Sequence, residues 1–443
     1  MRSVHVPFGY FPGPSGGTEV YVSALVAALN RAGDHAVVAA PGADNREYDH
    51  HDVQVYRMGA TGHVTPAEMY GGGVARVAAR FAEVLDRERP DVVHLHAFTP
   101  AVSIRLVREA ARRHVPVVFT YHTPTASCVK GTLMRQGTAC DGRLDVQRCT
   151  ACSLEARGLP PFLAHVASRV PPLPLTPGDG PFRRVWSTAG YATLVASLHT
   201  AVRALLDEAD AIVAPRGWVL DLLRLNGVPA SKIVLSPQPL CHDVPPRDLR
   251  PRVDGPLRIA FLGRLDPTKG VDVLLRAMRL VPDTMAMQVD IYGVVEAEGG
   301  REELARLRAL AGNDARVAFH AAVPPSDVLR TLSAHDVLAV PSQWMETGPL
   351  VALEAAAAGV AVVASRLGGL AELVDDGVSG ALVTDYASPD AWASTLVALA
   401  TDPARTRALG ALAAEPRRMT DVAAEMSAVY AALVAATPKD GRA

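Results

Sequence analysis

Two glutamates with seven residues between them, Glu346 and Glu354, lie in "PSQWMETGPLVALEAAAAG", Pro341 to Gly359. Glu354 has Leu350, Val351, Leu353, Ala355, Ala357 and Ala358 at one, three and four positions, so a helix here leaves it no polar face. A carboxylate enters such surroundings only with a partner. Gly348 and Pro349 suit a helix start, with proline at the first helical position. The N-terminus of that helix would offer free N–H groups to phosphate oxygens. Glu354, about a turn and a half in, is then placed to meet ligand hydroxyls, with Glu346 ahead of the helix. The competing reading is two ordinary glutamates, one of them solvated. A second stretch, "FLGRLDPTKG", puts Arg264 and Lys269 on a glycine-flanked loop directly after an apolar run. Two cations there can neutralise a diphosphate. Lysine occurs only at Lys130, Lys232, Lys269 and Lys439, which singles out Lys269 in an arginine-rich chain. Taken alone, the pair could equally be a solvated loop.

The first half carries weaker signals. "GPSGGTEVYVSALVAALNRAG" is a glycine loop entering an amphipathic helix, and Gly16 and Gly17 permit close backbone approach to a ligand. Three histidines end apolar runs: His94 and His96 in "DVVHLHAF", and His122 in "VFTYHTPT". Any single one reads more readily as a satisfied structural histidine. Cys128, Cys140, Cys149 and Cys152 form C-x11-C-x8-C-x2-C, starting six residues after His122. That grouping suggests structural zinc, with reduced thiols or a redox-labile disulfide as alternatives. Four thiolates would leave no open position for catalysis.

These residues need a scaffold, and the sequence supplies one. Short apolar runs ("HAVVAA", "DVVHLH", "VPVVFTYH", "AIVAP", then "LRIAFLG", "MQVDIYG", "DVLAVPS", "VAVVAS") alternate with helix-period segments. Buried strands separated by helices predict parallel sheets covered on both faces. At 443 residues the chain exceeds one core. Proline- and charge-rich "HDVPPRDLRPRVDGP" suggests the boundary, giving a domain over 1–250 and a second over 251–415. Residues 416–443 include an apolar helix that could return to the first domain. Residues 123–182, rich in proline and cysteine, read as an irregular insertion. Net charge −2 gives no basic surplus for nucleic acid. No run suits an integral membrane segment, and no leader opens the chain, so the expected location is cytoplasmic.

In combination "FLGRLDPTKGVDVLLRA", the E-x7-E stretch and "GGLAELVDDGVSGALV" resemble the second domain of retaining GT-B glycosyltransferases of family 4, over most of 257–400. The resemblance implies an α/β fold of two Rossmann-like, doubly wound domains facing a central cleft. It implies a nucleotide-sugar co-substrate, UDP- or GDP-linked, and no catalytic metal. Glu354 would bind ribose hydroxyls and Arg264 and Lys269 the diphosphate. Glu346 and His122 would contact the donor sugar, and the backbone at Gly348, Leu350 and Val351 the sugar and phosphate. Gly16 and Gly17 match the family's "GG-x-E" loop near the donor phosphates, and His96 matches an acceptor-side position. The base would meet backbone near Tyr292–Val294 and His320–Ala322. One departure is Thr347-Gly348-Pro349 where many members carry an aromatic residue and glycine, so the N–H at Pro349 is missing and sugar selection is expected to differ. The acceptor stays open among glycan or lipid carriers, a small polar metabolite and a natural-product scaffold, with oxygen, nitrogen or sulfur attacking. Composition leans toward a small molecule of secondary or thiol metabolism. A same-fold epimerase or hydrolase and a catalytically dead relative are the rivals.

Overall fold

The computed structural model describes residues 1–13, 16–171, 190–242, 255–295 and 297–437. The chain divides into two compact units. The first comprises Met1–Arg135, Cys140–Pro237 and Met419–Ala443; the second comprises Gln136–Ala139 and Gln238–Arg418. The division thus falls after Pro237, ahead of the expected boundary at 250. Most of the proposed linker, 243–254, lies outside the described residues.

In the first unit β1 (Arg2–Val6), β2 (His35–Gly42), β3 (Arg46–His50), β4 (Val53–Gly59), β5 (Val92–Leu95) and β6 (Val117–Thr120) precede the insertion. Two-residue strands β7 (Met134–Arg135) and β8 (Thr138–Ala139, which groups with the second unit) lie within the insertion, and β9 (Ala211–Ala214) and β10 (Ile233–Leu235) follow it. The large sheet runs β10-β9-β6-β5-β1-β2-β4-β3, parallel except for β3 against β4. Runs such as Val92–Leu95 and Val117–Thr120 are buried along their whole length, as strands covered on both faces must be. Strand order reverses between β1 and β5, so the loops at their carboxyl ends part and leave room for side chains.

The insertion is less irregular than its composition suggests. It contains helices Val146–Ala156 and Pro161–Ser168. Asp145 caps the first by accepting from the Arg148 N–H at 2.7 Å, and proline opens the second. Residues 172–189, which include the end of the expected insertion at 182, lie outside the described residues.

The second unit holds β11 (Leu257–Arg264), β12 (Met287–Val294), β13 (Val317–His320), β14 (Val337–Val340), β15 (Ala361–Ser365) and β16 (Gly380–Val383). They form one all-parallel sheet, β13-β12-β11-β14-β15-β16, with the reversal between β11 and β14. Its core joins Leu257, Ile259 and Val289 of the strands to Leu274, Trp392 and Leu396 of covering helices.

The final helix, Met419–Ala436, belongs to the first unit. By length and composition it is apolar enough to cross a membrane. Here Met419, Val422, Ala423, Met426 and Tyr430 are buried, and Ser427 donates to Asp34 at 2.9 Å.

Candidate functional site

In the second unit the loops after β11 and β14 meet at the reversal. Gln343 N–H donates to Thr268 O at 2.7 Å, stitching the two loops together. Gly270 turns the first loop at φ +69°, and a Cβ there would stand 1.8 Å from Pro341 O, so no other residue fits. This contact carries Lys269 to Glu346: Nζ donates to Oε1 at 2.8 Å, and Ser342 Oγ donates to the same oxygen at 2.5 Å. Glu346 is buried, and the Lys269 ammonium lies 5.3 Å from the Trp344 ring centroid. Gly368 and Gly369 allow the next loop to press on the Glu346 backbone, with Gly369 N–H donating to Glu346 O at 2.6 Å. Arg264, at the end of β11, is half-exposed and 3.6 Å from Asp266.

Glu354 has the partner its surroundings require. The helix runs Leu350–Ala357, with Pro349 as its N-cap and not its first helical residue, one position later than expected. Glu354 is buried and lies 3.1 Å from His242 Nε2. Its charge, after burial, pushes the Cys241 thiol well up. Gly348 adopts φ +145°, and Leu350 and Val351 are half-buried at the helix start. Tyr292 and His320 sit side by side at the ends of β12 and β13, rings stacked at 4.6 Å.

In the first unit the histidines are one assembly. Register pairs His5 of β1 with His94 of β5, beside the sheet reversal. Ser3 Oγ, His5, His96 and His122 form a chain of three hydrogen bonds, each 3.1 Å. His94 sits beside it, bonded to Thr120 Oγ1 at 2.7 Å and to Tyr430 OH of the final helix at 2.5 Å. All four are buried. Burial lowers His5 and His122 to about 3, and drives His94 and His96 well below the usual histidine value, with neighbouring imidazoles adding repulsion. The rings are therefore neutral, and each link needs a defined tautomer. Tyr21, from helix Gly17–Arg31, packs edge-on against His122 at 4.8 Å. Gly16 and Gly17 are exposed at the start of that helix, where Glu19 turns back to accept the Gly16 N–H at 2.8 Å.

The structure gathers the four cysteines around one cavity without closing them into a compact ligand set. Among the described residues, the set of three metal-ligand atoms mutually within 4.8 Å belongs to His5, His94 and His96, not to the thiols. Those three rings already use both nitrogens in hydrogen bonds, and no carboxylate among the described residues acts on them, so a dication there would be uncompensated. Cys128, Cys140, Cys149 and Cys152 are unbridged thiols around a common cavity.

Sequence reasoning missed His5, Ser342, Trp344, His242 and Tyr430. His5 had a signal, since a histidine inside the apolar run "SVHV" resembles His94 in "VVHL". The others act through tertiary contact alone.

Comparison with known proteins follows the same division. The family model "Glycosyltransferase Family 4" matches residues 15–240, and "Glycosyl transferases group 1" matches 249–415. A D-inositol 3-phosphate glycosyltransferase of Xylanimonas cellulosilytica is 37% identical over 276 residues, 60% of this chain and 64% of that protein. The chain spans less than two thirds of the length of the curated relatives it matches. Sucrose-phosphate synthase from Thermosynechococcus elongatus has the same fold, with TM-score 0.67 and 20% identity over 98% of this chain and 100% of that one. Anabaena HepE in complex with UDP gives TM-score 0.64 and 15% identity over the same shares.

Proposed function

The chain belongs to glycosyltransferase family 4, and from that premise we propose that it transfers a sugar from a nucleoside-diphosphate donor to a small hydroxylated acceptor, retaining anomeric configuration. The observation that carries this is the pairing of Lys269 with buried Glu346 across the reversal between β11 and β14. An ammonium held at the carboxyl edge of a parallel sheet, with Arg264 nearby, suits a diphosphate. The departing phosphate bears the developing charge, and these two cations stabilise it. No metal is invoked in this step. Glu354 accepts the ribose hydroxyls, with His242 orienting its carboxylate. Glu346 and His122 read the transferred sugar, and Gly16, Gly17 and His96 serve the phosphate and acceptor side. A polyol acceptor is favoured by the name of the inositol phosphate relative, and a UDP donor by the UDP-bound HepE structure. Cytoplasmic location fits a soluble nucleotide donor.

A thermal-shift screen against UDP, GDP, ADP and dTDP tests the donor half. A nucleotide at about a hundredfold above its dissociation constant stabilises by ~2.7 kcal/mol. One responding nucleotide identifies the donor class; silence across the panel would overturn the assignment. Product anomeric configuration, read by proton NMR with the responding donor and inositol phosphates, tests retention and acceptor.

A further inference from the structure

We propose that Cys128, Cys140, Cys149 and Cys152 bind one zinc ion that orders the stretch following His122. All four line the same small cavity, about 30 Å³ and so of the size of one or two waters. Cys149 and Cys152 lie three apart on one face of helix Val146–Ala156, while Cys128 and Cys140 arrive from the loop before it. Four sulfurs, two from a helix turn and two from a loop, are the donor set that tetrahedral zinc takes. The rim is cationic, although Arg135 is paired with Glu155 at 2.8 Å and Arg148 with Asp141 at 2.6 Å. Lys130, Arg135, Arg143 and Arg148 line the same cavity, and Arg148 Nη2 donates to Cys140 Sγ at 3.1 Å. Zinc with four thiolates carries a net double negative charge, which such cations and their N–H groups offset.

Zn–S bonds of ~2.3 Å bring sulfurs to ~3.8 Å of one another. No three of the four sulfurs lie mutually within 4.8 Å, so binding must draw them inward into the cavity between them. The loop has a reason to need it. Gly131, Leu133, Gln136, Gly137 and Gly142 all take positive φ, two of them non-glycine residues that pay for this conformation. The loop is tied to the strand end bearing His122, because Tyr121 OH and Ser127 Oγ are 2.6 Å apart and Cys128 N–H donates to Pro124 O at 2.8 Å. The metal thus acts as a clasp on the segment leaving His122. It exchanges thiol protons for one cation and transfers no electrons.

The test uses the full, untagged chain produced without added metal. Elemental analysis should find about one zinc per chain, released when a mercurial blocks the thiols. Alkylation mapped by peptide mass spectrometry should find the four cysteines protected in native protein and reactive after chelation. C149S/C152S should lose the metal; if that variant does not fold, the wild-type protection pattern still decides. Metal-free protein with four reactive thiols overturns the proposal, as does an intact mass showing a disulfide, or iron with visible absorbance in place of zinc.

Discussion

At the scale of single residues, the donor assignment rests on two buried carboxylates whose partners differ in kind. Glu346 is held by an ammonium and a hydroxyl, Glu354 by an imidazole. Glu354→Ala removes the acceptor for ribose hydroxyls. A charged-group hydrogen bond contributes ~1.5–3 kcal/mol, so nucleotide affinity by calorimetry should fall about 10- to 100-fold. Unchanged affinity would remove the ribose role. Lys269→Ala should instead act on the chemical step, lowering kcat by about 10²–10³ as loss of a charge-stabilising donor does, while the melting temperature stays near wild type. Equal losses in kcat/KM and in nucleotide binding would make Lys269 a mere anchor. Glu354 stands out in the sequence because its helical neighbours are apolar, and Lys269 because lysine is rare in this chain. The histidine chain was not, since the alignment of His5 with His94 comes from which strands become neighbours.

At the scale of elements, the second unit's site depends on two loops held in contact. Gly270→Ala places a Cβ against Pro341 O and forces a left-handed backbone on alanine. The conformation alone costs ~1–2 kcal/mol, and the clash must also move the loop bearing Lys269. The expected result is a lower urea midpoint together with weakened nucleotide binding. A loss of stability with binding intact would separate the glycine from the site. The eight apolar runs read as strands all became strands, because β-branched and aliphatic residues in runs of four to six leave no polar face to solvate. Shorter or more polar ones, β1 with its histidine and β16 with "GALV", lacked that signal. The insertion's helices escaped notice for a related reason. Val146–Ala156 has cysteines, a serine and a threonine where a helix pattern would show leucines, and its start depends on Asp145.

At the scale of the molecule, the two units should respond differently to acid. Histidines His5, His94, His96, His122 and His199 are all lowered by burial in the first unit, His199 to about 4. A folded-state value below the ordinary 6.5 means that the unfolded chain binds protons the folded one refuses. Stability is then full above about pH 6.5 and is lost as pH falls from there toward 3. His5 and His122, at about 3, each remove ~2 kcal/mol by pH 5, and the others act in the same direction. Against a typical total of ~5–15 kcal/mol, that suffices to open the first unit first. Hydrogen exchange at pH 7.5 and pH 5 should find protection lost in β1, β5 and β6 before β11, β12 and β14. Simultaneous loss, or none, would mean that the imidazoles are not held neutral.

The hydrogen bond from His94 to Tyr430 has a consequence for biosynthesis. The ribosome delivers the first unit's eight sheet strands, then the whole of Gln238–Arg418, and only then the helix that covers them. At ~5–20 residues per second that interval lasts roughly 10–40 s. Through it the nascent first unit presents the surface around His94 and Asp34 without the helix that bonds to both.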